Sequence, residues 1–247
     1  MGLFDKQYQE ITAYLGRRRI EGKVSEFIHK RRTSWPSEKN RNLVLGQDAA
    51  VELGNPKGAS TSFLLWVTDP RLFKHGRITV VGPDLPKLNN QQVSFGKVVI
   101  VGGSGFDKNN SYDRFREMEL LRYDVHLKGY MMRGVSQLQR EWSRVSKEAI
   151  HNGFSFQVLG GALIDKFSAL EYVRSTEMIF ITSGKEDVLE MQHISNGVVQ
   201  RINAMNKMAE DMLFDCDECE YNAVCGEVEE LRSMRDALKN KETAAGV

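Results

Sequence analysis

The sequence predicts an α+β fold: a mixed or antiparallel sheet with helices on one face, plus N-terminal and C-terminal helical segments. Three observations support this prediction. Short β-branched or aromatic runs dominate residues 42–103, helical periodicity dominates from Tyr112 onward, and one more strand-like run, EMIFITS, comes late in the chain.

Composition excludes several classes of protein. The chain has 247 residues with 41% hydrophobic and 27% charged residues and a net charge of +1. This is enough for one large or two small domains, and it gives no basic field that would attract nucleic acid. No apolar run approaches the length that spans a bilayer, and MGLFDKQYQE has no apolar signal core. We therefore expect a cytoplasmic protein with no nucleic-acid or membrane partner.

Residues 4–32 are predicted to be helical. In FDKQYQEITAYL the apolar residues recur at spacings of three and four, and IEGKVSEFIHKRR repeats the pattern after Gly22. Basic residues at 17–19 and 30–32 crowd the ends of the second segment. A solvated surface is the favoured interpretation of them, and a docking face for an acidic partner or a phosphate is the alternative.

A polar break at SWPSEKNRN suggests a boundary, so we predict an N-terminal helical segment (1–35), an α+β domain (36–192) and a helical C-terminal segment (193–247). Within the domain, strands are predicted at NLVL, AAVELG, SFLLWV, GRITVVG and SFGKVVIVGG. Helices are predicted at SYDRFREMELLRYDVHLKGYM and VSQLQREWSRVSKEAIHNG. FSFQVLGGALIDKFSAL is predicted to contain a short strand and then a short helix.

Two long helices are predicted near the C-terminus. KEDVLEMQHISNGVVQRINAMNKMAEDMLF forms the first, with a break at Asn196-Gly197, and GEVEELRSMRDALKN forms the second. The glycines of VVIVGGSGF follow a strand but lack the complete dinucleotide fingerprint, so a hairpin or exposed turn is favoured over a phosphate loop.

The three cysteines of the chain, Cys216, Cys219 and Cys225, lie within ten positions and begin with a C-x2-C spacing. Such loops place two thiolates on one metal, and all-sulfur ligation favours a [4Fe–4S] cluster over zinc. His193, Asp217, a second chain or a non-protein ligand could supply the fourth position. The alternative is three cysteines without metal, two of them able to form a disulfide.

The middle of the chain resembles the acetyl-CoA synthase family, the beta subunit of the CO dehydrogenase/acetyl-CoA synthase complex. AVELGNPK, GRITVVGPDL, SFGKVVIVGG, REWSRVSKEAIHNGF and EMIFITSGKEDVLE carry the resemblance. It covers about residues 44–192, the domain before the family's nickel site. The resemblance implies an α+β domain and an anaerobic one-carbon metabolism that uses corrinoid methyl transfer and coenzyme A.

The resemblance also implies candidate coenzyme A residues. Trp142 and Arg144 stand in the matching motif, and Arg133 and Arg140 are neighbours that do not fall on clear family positions. An indole can stack on adenine, and guanidinium groups can pair with phosphates. The competing interpretation makes Trp142 a core residue of an apolar helical stripe.

The cysteine pattern departs from that of the nickel-site domain, so we do not expect this chain to be an acetyl-CoA synthase by itself. The favoured hypothesis is an iron–sulfur subunit or accessory protein of an anaerobic complex, with protein subunits as partners and self-association also compatible. One alternative is an enzyme whose open three-cysteine cluster acts on a CoA thioester or a one-carbon substrate. A zinc-stabilised scaffold is another. Whether the chain is an enzyme stays open.

Overall fold

Two mixed sheets form the centre of the molecule in the computed structural model, which describes residues 2–38, 42–88, 91–107, 109–136, 140–210 and 219–245. The strands are β1 (Val24–Ile28), β2 (Ala49–Leu53), β3 (Ser60–Val67), β4 (Arg77–Val81), β5 (Gln91–Val93), β6 (Phe95–Gly103), β7 (Tyr130–Ser136), β8 (Arg140–Ser146) and β9 (Val173–Ile181). The helices are α1 (Asp5–Ile20), α2 (Ser111–Tyr123), α3 (Lys147–His151), α4 (Phe156–Phe167), α5 (Lys185–Glu210), α6 (Asn222–Glu227) and α7 (Glu229–Ala245).

The larger sheet has five strands in the order β1-β4-β9-β6-β3, and the smaller has four in the order β5-β2-β8-β7. β4 runs parallel to β9, β3 runs parallel to β6, and β2 runs parallel to β5, whereas the other neighbours are antiparallel. The two sheets meet where β3 contacts β8. The predicted α+β fold with a mixed sheet is confirmed, and the structure adds the second sheet.

Helices pack on both faces of the five-stranded sheet. α4 lies against Ile78, whose side chain approaches Gly160, and the ring of Phe156 stacks on Phe180 with centroids 4.6 Å apart. Glu177 of β9 lies on the opposite face of the sheet from Phe180, because the two differ by an odd number of positions, and it interacts electrostatically with Tyr8 of α1. Because side chains alternate along a strand, α1 and α4 cover opposite faces.

A network of buried charges joins the two sheets. Lys97 of β6 and Glu141 of β8 are both fully buried and form an ion pair. Glu141 also accepts hydrogen bonds from Tyr130 (2.8 Å) and Ser62 (3.2 Å), and Ser62 in turn accepts one from Arg122. Burial lowers the pKa of Lys97, although the neighbouring carboxylate favours its charged form. The pair therefore depends on both partners being present.

Five strands were correctly predicted from their apolar runs, namely β2, β3, β4, β6 and β9. The second half of the predicted N-terminal helix is wrong, because Val24–Ile28 forms β1 against β4. NLVL is not a strand: residues 42–45 lead irregularly into a 3-10 turn at Gly46–Asp48. α4 begins at Phe156, so FSFQV contains no strand, and α5 runs unbroken through Asn196-Gly197.

The predicted helix over VSQLQREWSRVSKEAIHNG is also wrong for most of its length. Its residues form the end of β7, then β8, and only Lys147–His151 is helical. β8 alternates between buried and partly exposed side chains, because β2 and β7 pair with it on either side and Glu141 faces Lys97. Leu138, which belongs to the same predicted helix, lies outside the described residues.

Among the helices described by the structure, none combines the length and the apolar character that a membrane crossing needs.

Candidate functional site

Trp142 and Arg144 lie on the outer face of the four-stranded sheet. Glu141, Ser143 and Val145 of β8 point inward and are buried, so the two residues between them point the other way. The structure leaves Trp142 partly exposed rather than in the core. The Cζ atom of Arg133 is 4.7 Å from the centroid of the indole, and that of Arg144 is 5.8 Å away. We call Trp142, Arg133 and Arg144 the tryptophan cluster.

The two arginines of the tryptophan cluster have different partners. Arg144 donates to Glu52 of β2 at 2.5 Å and to the carbonyl oxygen of Val44 at 3.4 Å, and its side chain is only 14% exposed. Arg133 is exposed on β7 and forms no ion pair within the described residues. Arg144 is therefore held in place and neutralised, whereas Arg133 presents an uncompensated positive charge.

Arg140, the other arginine considered from the sequence, is exposed at the start of β8 and donates to the carbonyl oxygen of Gly58 at 3.3 Å. The Nε1 atom of Trp142 is buried and has no hydrogen-bond partner in the part of the chain that the structure describes. A buried donor without a partner is uncommon in folded proteins, so this N–H group is an unsatisfied polar group beside the exposed part of the indole.

Two cavities of about 430 Å³ each lie near Arg144 but are lined by other residues, among them Val44 in the first and Gly46 in the second. Gln47 and Lys147 line both of them, and Lys147 donates to the carbonyl oxygen of Gln47 at 2.9 Å. Gly46, which lines the second cavity, packs against the guanidinium of Arg144. Cavities of this volume are typical of small-molecule sites.

The sequence analysis missed the polar residues of this surface. Glu52 lies in AVELGNPK, but nothing local shows that it faces Arg144 across β2 and β8. Gln47 belongs to no motif, and Lys147 lies in REWSRVSKEAIHNGF without any local sign of a binding role. The alternation of side-chain types through REWSRVS indicates a strand, but the helical spacing of the apolar residues favoured a helix there.

The cysteine region is described in part. Cys216 and the proposed ligand Asp217 lie outside the described residues. Cys219 is partly exposed and precedes α6, and Cys225 is buried within α6. Both line a small cavity of about 10 Å³, enough for roughly one water molecule, together with Lys207 and Arg235. The described residues contain no group of three potential metal ligands.

His193 lies far from the two described cysteines. It is exposed on α5, and fourteen residues separate it from Lys207, which lines the cavity beside the cysteines. A helix rises about 1.5 Å per residue, so the two positions are about 21 Å apart along its axis. A metal–nitrogen bond spans about 2 Å.

The glycine loop after β6 directs carbonyl oxygens toward Arg114. The carbonyl oxygens of Ser104 and Gly105 both accept hydrogen bonds from Arg114, the first at 3.1 Å. A phosphate loop directs backbone N–H groups toward its ligand instead. Gly102 serves close packing, because a Cβ atom there would lie 2.8 Å from the Cα atom of Pro70.

Comparison with known proteins gives two findings. A family model described as the CO dehydrogenase/acetyl-CoA synthase complex beta subunit matches residues 39–196. The acetyl-CoA decarbonylase/synthase complex subunit beta of Methanopyrus kandleri is 27% identical over 116 residues, which are 47% of this chain and 24% of the relative. The chain thus spans about a quarter of that relative. The matched range contains the tryptophan cluster and ends before the cysteines.

Proposed function

The chain belongs to the CO dehydrogenase/acetyl-CoA synthase complex beta subunit family, and from this premise we propose that it is a subunit or accessory protein of a related complex that binds coenzyme A at the tryptophan cluster. The resemblance inferred from the sequence is confirmed. The single observation that carries the coenzyme A proposal is the partly exposed indole of Trp142 with an exposed, unpaired guanidinium beside it.

Each group of the cluster suits one part of coenzyme A. The partly exposed indole of Trp142 would stack on adenine. Arg133 supplies the free positive charge that a phosphate requires. Arg144, held by Glu52, fixes the position of the indole and contributes little net charge. Phosphates should therefore lie on the Arg133 side, because the carboxylate of Glu52 repels them on the other.

We also propose that Cys216, Cys219 and Cys225 hold a metal centre, either a [4Fe–4S] cluster or zinc. Lys207 and Arg235, which line the same cavity as Cys219 and Cys225, would offset the negative charge of thiolates. All-sulfur ligation favours the cluster, whereas the small cavity among the described residues favours a single ion. A cluster would supply electron transfer, and zinc would supply rigidity.

The coenzyme A proposal predicts that Trp142→Ala weakens coenzyme A binding by about 5- to 150-fold, because base–aromatic stacking contributes about 1–3 kcal/mol. Arg133→Ala should weaken binding of coenzyme A more than binding of adenosine, since adenosine lacks the phosphates. Isothermal titration calorimetry of both ligands measures these changes.

Arg71→Ala is the matched control, because Arg71 is an exposed arginine paired with Asp69 outside the cluster. Its affinity for coenzyme A should equal that of the unmodified chain. Equal affinity of the Trp142→Ala and unmodified chains, or no binding by the unmodified chain, would contradict the proposal.

A further inference from the structure

β1 forms an open edge of the five-stranded sheet. Among the strands that the structure describes, it pairs with β4 alone, and its register sets Val24 opposite Val81 and Ile28 opposite Arg77. The carbonyl oxygen of Lys23 and the N–H of His29 both bond to the β4 side. In an antiparallel strand, the N–H and C=O groups of successive residues point alternately to one side of the strand and to the other. The backbone groups of the odd-numbered residues therefore point toward β4. The N–H and C=O groups of Val24, Glu26 and Ile28 therefore face away from the sheet.

The charges around β1 are divided unequally. Arginines 17–19, which precede it, are all neutralised: Arg17 pairs with Glu190, Arg18 with Asp187, and Arg19 with Glu26 at 2.5 Å. Residues 30–32, which follow it, are Lys, Arg and Arg, and all three are exposed. None of these three forms an ion pair within the described part of the chain. The positive charge predicted from the sequence is thus available only at the C-terminal end of β1.

From these two observations we propose that β1 is a docking edge for an extended, acidic segment of a partner subunit. The segment would add a strand to the sheet through the outward backbone groups of Val24, Glu26 and Ile28, and its carboxylates would pair with residues 30–32. Strand addition of this kind takes affinity from main-chain hydrogen bonds and specificity from side chains. Ile20, which ends α1 four residues before β1 and is 90% exposed, would offer an apolar contact to the same segment.

Charge argues against the other occupants. If a second copy paired antiparallel through β1, residues 30–32 of one copy would face the region of Arg19 and Lys23 of the other, whose charges are already paired with Glu26 and Glu21. A second copy would therefore bring no free carboxylates to residues 30–32, whereas an acidic partner segment would. Nucleic acid is disfavoured because the net charge of the whole chain is only +1.

The test uses the full chain and two fluorescent peptides in which valine alternates with threonine. One peptide carries a run of glutamates at its N-terminus and the other at its C-terminus, so that parallel and antiparallel addition to β1 are both tested. Binding is measured by fluorescence anisotropy. We expect the Arg31→Glu/Arg32→Glu chain to bind at least about tenfold more weakly, and added salt to weaken binding by the unmodified chain. Glu26→Pro should also weaken binding, because it removes an outward N–H but no hydrogen bond to β4.

Glu26→Gln is the matched control, since it loses the Arg19 ion pair yet keeps the N–H, and it should bind normally. Circular dichroism verifies that Glu26→Pro stays folded. The inference would be overturned if lysine-tailed peptides bound as well as glutamate-tailed ones, or if neither glutamate peptide bound. A dimer in sedimentation that depends on β1 would overturn it as well. It extends the proposed function by describing the partner, and coenzyme A titration of Glu26→Pro, expected to be normal, tests the tryptophan cluster separately.

Discussion

Replacing Lys97 with methionine is expected to lower the free energy of unfolding by about 3–5 kcal/mol, because removing one member of a buried ion pair leaves the other charge uncompensated. Glu141 is fully buried, and its remaining partners within the described residues include neutral donors such as Tyr130 and Ser62. Burial raises the pKa of Glu141, and the charge of Lys97 is the main influence that lowers it again. Urea denaturation followed by circular dichroism measures the loss.

The double variant Lys97→Met/Glu141→Gln provides the matched control. An amide at position 141 can still accept from Tyr130 and carries no charge, so much of the lost stability should return. If the single variant is as stable as the unmodified chain, the two sheets are not held together by this pair. If the double variant is no more stable than the single one, packing rather than charge explains the loss.

The same experiment bears on the tryptophan cluster. β8 carries Glu141 on its inner face and Trp142 and Arg144 on its outer face. Fixing Glu141 against Lys97 therefore fixes the register of the outer residues as well. The buried network and the proposed coenzyme A surface are two faces of one strand.

Replacing Cys219 with serine is expected to reduce the bound metal from a stoichiometric to a trace amount while the two sheets stay folded. The reason is that a thiolate is a far better ligand than a hydroxyl for iron–sulfur clusters and zinc. Cys219 is partly exposed and lies in the C-terminal region, outside both sheets. Elemental analysis of protein prepared without oxygen measures the metal, and a brown colour distinguishes a cluster from zinc.

Lys207→Gln is the control for this prediction. Lys207 lines the same cavity as the cysteines but is not one of the proposed metal ligands. This variant should keep its metal. Unchanged metal content in Cys219→Ser, or neither iron nor zinc in the unmodified chain, would show that the cysteines do not form a metal site.

The sequence by itself determined the α+β class, the family and most of the central sheet. β3, β6 and β9 are almost completely buried, so their sequences are continuous apolar runs that need no partner to be recognised. The helices α1, α2, α5 and α7 were predicted for a similar reason, since their spacing of apolar residues is local information.

Only the tertiary structure decided the nature of β8 and the surroundings of Trp142. The buried positions of β8 hold Glu141 and Ser143, which are polar residues that a hydrophobic pattern does not assign to a core. Glu141 is neutralised there by Lys97, which lies forty-four positions earlier in the chain. Arg144 is likewise neutralised by Glu52 from another strand. Such contacts between distant residues override local periodicity, because burying a charge costs free energy that only its partner offsets.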